Sequence, residues 1–180
     1  MSDSTKKNLV FRHTVLWGVV LGITSAVFYM VVYFTDQMAN SLVGWLLYPI
    51  LAVICILCVN KYRTKYSGGY VSLGKAFIIS YLPFFYGLIV NGCYQLIFMS
   101  FILKPEYINS TIDKTATKLR TQGLAEHQIQ KSVQISRYIF EHPLAAVGIT
   151  ALMFAFAGAI ISVIVAAICR KDDTREVTAA

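Results

Sequence analysis

Residues 144–169 read LAAVGITALMFAFAGAIISVIVAAIC, 26 consecutive positions without a charged side chain. A helix rises about 1.5 Å per residue, so about 20 residues cross a hydrocarbon core roughly 30 Å thick. Three further stretches, Thr14–Phe34, Ser41–Val59 and Ala76–Leu103, share that length and that lack of charge. Lipid offers no partner to a loose backbone group, so unbroken apolar runs of this size are helices rather than barrel strands. The chain therefore reads as an all-α protein, a four-transmembrane-helix bundle built as one polytopic domain over residues 1–180. Its spans fall at about 14–34, 41–59, 76–103 and 144–169, with a link at 60–75 and a long loop at 104–142.

Composition agrees: 57% of residues are apolar and 14% charged, against roughly 25% charged in a soluble domain. The net charge of +7 could suggest nucleic acid, but its placement argues against that partner. Lys6, Lys7 and Arg12 precede the first span. Lys61, Arg63, Lys65 and Lys75 lie between the second and third, and Arg170, Lys171 and Arg175 follow the fourth. These ten basic residues share one side, while the other side holds six, all in Lys104–His142. The positive-inside rule predicts both termini in the cytoplasm, a cytoplasmic basic link at 60–75 and an extracytoplasmic loop at 104–142. The first apolar run outlasts the 7–15 residues or so of a signal h-region. FTDQMAN after it has no clear cleavage pattern, so it is expected to stay as the first helix.

Breaks organise the rest. Asp36 and Asn40 flank a tight turn, which predicts an antiparallel pairing of the first two helices. Pro49 and Pro83 remove backbone donors inside their spans and are expected to bend them. In NKYRTKYSGGYVSLGKAF, residues 60–77, Gly68-Gly69 marks a turn and Ser72 an N-cap. Tyr62, Tyr66 and Tyr70 suit the headgroup zone. No strand precedes these glycines, and their spacing fits no phosphate loop. In the long loop, Pro105 and Glu106 open a helix carrying Ile108, Ile112 and Leu119, which Gln122-Gly123 stops. A second helix places Ile129, Val133 and Phe140 on one face beside Arg137, before Pro143 starts the last span. The result is a helical hairpin between spans three and four. Its stripes either pack on each other and on the bundle mouth or form a docking face.

Within the spans, small and polar residues carry the signal. Gly18, Gly22 and Ala26 recur every four residues, as do Ala151, Ala155 and Ala159. Such ridges let backbones approach where lipid provides no hydrophobic drive; they are helix-packing positions, within one chain in preference to between chains. Asn91 and Gln95 share a face of the third span, which must point into the bundle. They serve as interhelical hydrogen-bond glue or line a small polar intramembrane site. None of the four spans, as bounded above, holds an Asp, Glu, Lys, Arg or His, which disfavours ion-coupled transport. Cys55-x-x-Cys58 resembles the reactive pair of membrane thiol oxidases. However, it lies toward the cytoplasmic end, and the outer loop has no cysteine. Cys55, Cys58 and Cys93 are therefore expected to be buried, inert packing residues. His127 and His142 lack further metal-ligand spacing. No catalytic residue, no metal and no cofactor is expected.

Four spans, the link after the second, a basic helical outer loop and EHPLAAVGIT entering the last span together resemble the DUF 4199 family. The most specific part is Tyr66–Phe77, with Gly68, Gly69, Ser72, Gly74 and Lys75. The resemblance implies a small multi-pass protein of the bacterial inner membrane, with no known activity. The expected function is a non-enzymatic scaffold or partner-binding module. Its partners would be the lipid bilayer and another membrane or periplasmic protein, reached through the outer hairpin or the Gly68–Lys75 link. The alternative is a passive small-molecule or lipid-handling protein with a polar site around Asn91 and Gln95.

Overall fold

A computed structural model describes residues 3–38 and 40–171, without the side chains of residues 3–7 and 41. The predicted inner-side charges Lys6, Lys7 and Arg175 thus lie outside what is described. The elements run α1 (Asp3–Phe34), α2 (Ser41–Trp45), α3 (Leu47–Tyr66), α4 (Leu73–Ile97), α5 (Pro105–Thr121), α6 (Glu126–Glu141) and α7 (Pro143–Cys169). A π-helical turn, Phe98–Ile102, continues α4 and closes with the Leu103 N–H donating to Phe98 O at 2.9 Å. No strand occurs among the described residues, and four helices are long and apolar enough to cross a membrane.

The expected breaks act in different ways. Pro49 cannot donate to the carbonyl of Trp45, and the second span is interrupted there, with Leu46 separating α2 from α3. Pro83 leaves α4 continuous, and the carbonyl it deprives of a donor is met from another helix, as described below. Asp36 takes a positive φ of 56° in the turn after α1, and Asn40 accepts from the Leu42 N–H at 3.2 Å to cap α2. The helices outrun the predicted spans at one end. The first apolar segment begins at Asn8 and the third at Leu73, six and three residues earlier than read from the sequence.

Helix α4 is central. Helices α1 and α7 flank it, and α3 packs against all three. The predicted pairing of the first two spans is present, but the main partner of α1 is α4. Gly18 and Gly22 make that approach possible. A Cβ on Gly18 would lie 2.5 Å from Tyr86 Cβ, and one on Gly22 would lie 2.6 Å from Val90 Cβ. Gly87 of α4 faces them, with Gly18 O 3.1 Å from where its own Cβ would stand. On the other flank Gly158 of α7 is packed under Phe84, and Ala151, Ala155 and Ala159 are half-buried, as is Ala26 on α1. Leu21, Leu51, Val59, Ile79, Phe84 and Val165 fill the interior. Large apolar side chains such as Leu152, Phe156 and Phe85 remain exposed, as on helices whose solvent is lipid.

The two ends differ. At one, α5 and α6 form the helical hairpin, burying Ile112, Ala116 and Ile129. Gly123 turns the chain with φ 77°, and Arg120 pairs with Glu126 at 2.7 Å across the turn. That hydrogen bond holds the Glu126 carboxyl below its ordinary pKa. Lys114 of α5 forms an ion pair with Asp36, and Tyr33 of α1 packs on Tyr107 and Phe98, with ring centroids 4.6 and 5.0 Å apart. The hairpin is thus tied to the mouth of the bundle. At the other, basic end, Val71 and Lys171 exchange backbone hydrogen bonds at 2.9 and 3.0 Å. Arg63 also donates from Nη1 to Cys169 O at 3.1 Å, satisfying an end carbonyl of α7.

Candidate functional site

A chain of polar contacts crosses the basic half of the bundle. It starts at His13 on α1, which is only 8% exposed. Its Nε2 lies 2.9 Å from Cys58 O on α3; a carbonyl only accepts, so that nitrogen carries the proton. Cys58 Sγ donates in turn to Ile79 O on α4 at 3.6 Å, and Cys55 Sγ donates to Ser80 O at the same distance. Ile79 is the residue whose carbonyl would accept from position 83 in an unbroken helix. Pro83 has no N–H to offer, and the Cys58 thiol fills the vacancy. Ser80 Oγ donates back to Ala76 O at 2.9 Å and stands 3.4 Å from Ser162 O on α7. All four long helices are joined this way.

Two sequence expectations change here. His13 lies inside the first apolar helix and is buried, so that span does hold an ionisable residue. His13 directly precedes the apolar run that begins at Thr14, and no local pattern marks a histidine whose partner is 45 residues away. Of the cysteines expected to be buried, Cys55 and Cys58 are, whereas Cys93 is exposed. The buried pair also does more than fill space, since each thiol is a hydrogen-bond donor. Among the described residues, no three His, Cys, Asp or Glu side chains are grouped to hold a metal ion.

Asn91 and Gln95 lie at the interface of α4 and α7. Asn91 is buried, and Gln95 Nε2 donates to Thr150 Oγ1 at 3.2 Å. The cavity beside them has a volume of about 10 Å³ and is lined by Leu88, Asn91, Gly92, Gln95, Val147 and Thr150, among others. Roughly 10–15 Å³ is the least that holds one water. In this conformation the site is water-sized, which fits glue better than a ligand pocket.

The link is ordered by its glycines and by α7. Gly68 and Gly69 adopt φ 61° and 94°, the left-handed region that glycine enters without strain. Ser72 directly precedes α4, as predicted, but its hydroxyl makes no capping bond. Gly74 sits in the open first turn of α4, and Lys75 Nζ lies 5.3 Å from the ring centre of Tyr62.

Comparison with known proteins adds one match. A family model described as "Protein of unknown function (DUF4199)" matches residues 16–171, most of the chain. No curated protein and no solved structure matches.

Proposed function

The chain belongs to the DUF4199 family, and on that premise we propose that it is a non-enzymatic module of the bacterial inner membrane that holds a protein partner on its α5–α6 hairpin. In this reading both termini are cytoplasmic and the hairpin is extracytoplasmic. The supporting observation is the surface between α5 and α6. The cavity beside Asn91 and Gln95 is water-sized, and the groove beside Trp45, Tyr48 and Phe156 on the bundle is almost wholly apolar, as suits lipid. The hairpin, by comparison, carries an open groove of about 520 Å³. Ile112, Ala116, Ile129 and Val133 form its floor, and Arg120 and Arg137 stand among the charged residues at its edge. An apolar centre with a polar, arginine-bearing rim is the usual make-up of a protein-binding patch.

The test is photo-crosslinking from Gln130, in the groove, followed by detergent extraction and identification of both bound proteins and bound lipids. A stoichiometric protein adduct that disappears with Val133→Asp is the expected result. A retained lipid or metabolite that is lost in Asn91→Leu and Gln95→Leu, with no protein adduct, would replace this reading with the passive small-molecule one.

A further inference from the structure

We propose that the basic end of the bundle is a binding site for the headgroup of an anionic phospholipid, held by Lys65, Lys75 and Lys171. Among the described side chains, no acidic residue stands at this end. Arg12, Lys61, Arg63, Lys65, Lys75 and Lys171 lie at this end, whereas every acidic side chain that is described (Asp36, Glu106, Asp113, Glu126 and Glu141) lies at the hairpin end. By sequence, the segments on the basic side hold ten basic residues against four acidic ones, Asp3, Asp172, Asp173 and Glu176.

Aromatic rings hold the ammonium groups. Lys61 lies 5.8 Å from the Trp17 ring centre, Lys65 5.4 Å from that of Tyr66, Lys75 5.3 Å from that of Tyr62, and Lys171 5.9 Å from that of Tyr70. Such contacts occur roughly once per 70–80 residues, so four gathered at one end is a concentration. A ring attracts a cation without neutralising it, so each lysine is positioned and keeps its full charge for an anion. Tyr62 and Tyr66 in turn pack on His13, with ring centroids 5.6 and 5.7 Å apart, which anchors this floor to α1. The backbone pair between Val71 and Lys171 fixes the link against the end of α7. Lys75 and Lys171 are therefore placed before any ligand arrives, and little ordering cost remains on binding.

The adjoining surface identifies the anion as a lipid. Ile78 lies three residues further along α4 from Lys75, and Ile168 three residues before Lys171 at the end of α7; both are exposed and apolar. A phosphodiester at the lysines would continue into acyl chains lying on those side chains, so both halves of an amphiphile are matched. A free phosphate or a nucleic acid would use only the first half. Basic pockets between membrane helices are known to take such headgroups.

The experiment uses the full chain in detergent with phosphatidylglycerol or phosphatidylcholine of identical acyl chains, read by native mass spectrometry. Phosphatidylglycerol should be retained preferentially. Each of Lys65→Gln, Lys75→Gln and Lys171→Gln should reduce that preference about five-fold, while Lys131→Gln in the hairpin should leave it unchanged. On the wild-type protein, a phosphatidylglycerol carrying a photoreactive acyl chain should label α4 near Ile78 or α7 near Ile168, a result that does not depend on any variant folding. Equal retention of the two lipids would overturn the proposal. So would labelling confined to the hairpin, or displacement of the lipid by inorganic phosphate at equal concentration.

Discussion

Pro83 withdraws a donor from α4, and Cys58 supplies one from α3. This exchange ties a sequence irregularity in one helix to a thiol in another, and it predicts energetic coupling. Cys58→Ala leaves the Ile79 carbonyl without a donor and should lower stability in detergent by about 0.5–1.5 kcal/mol from the lost bond. Cys58→Ser, which keeps an O–H, should recover much of that loss. In a Pro83→Ala background the helix supplies its own N–H, and the cost of Cys58→Ala should shrink toward the packing contribution alone. Thermal unfolding of the four corners of that cycle measures the coupling; equal costs in both backgrounds would show that the thiol contact carries no weight. The sequence displayed the spacing of Cys55 and Cys58 plainly but not their task, because their partners are the carbonyls of Ile79 and Ser80 in a different helix, the first of them left without a donor by Pro83. His13 was hidden for the same reason. Asn91 and Gln95 could be assigned to the bundle interior because an amide facing lipid is costly, a rule that needs no knowledge of the partner.

At the level of helices, contact between α1 and α4 depends on glycines having nothing to clash. Gly22→Val would put a Cβ 2.9 Å from Gly87 O and closer still to Val90. Backbone cannot yield as a flexible side chain does, so the two helices must separate. The expected loss is roughly 1–3 kcal/mol or more, seen as a lower melting temperature or as failure to extract a monodisperse protein. Gly148→Ala is the control. It lies in α7 with nothing within 4 Å of its new methyl group and should be neutral or stabilising by up to about 1 kcal/mol. A Gly22→Val protein as stable as wild type would mean that α1 and α4 are not in close contact. Helix positions were largely readable, since apolar run length fixes the spans, and Pro105, Gly123 and Pro143 stand at the hairpin's start, turn and exit. Neighbours were harder to read. Proximity in sequence suggested α1 beside α3, while the glycine faces select α4, and no residue in α1 names which of three helices will receive it. The extra turns at the basic end escaped notice because charged residues ended the apolar runs without ending the helices.

For the whole molecule, the proposed arrangement has four spans returning the chain to the side on which it began, with charge selecting that side. With ten basic residues flanking the spans on one face and six on the other, a reporter fused after Ala180 should be active in the cytoplasm and one inserted near Gly123 only outside it. The reverse pattern would invert the proposed orientation and put the hairpin beyond reach of any periplasmic protein. The backbone pair between Val71 and Lys171 has a further consequence, in time rather than in space. A ribosome delivers residue 171 a hundred residues after residue 71, so the link between α3 and α4 has to wait, unclosed, until the last helix has been made. A nascent chain cut short before that point lacks the backbone pair that holds Val71 against the end of α7. Closing this ring therefore comes after the last helix, and it sets a chain that has reached residue 171 apart from any shorter one.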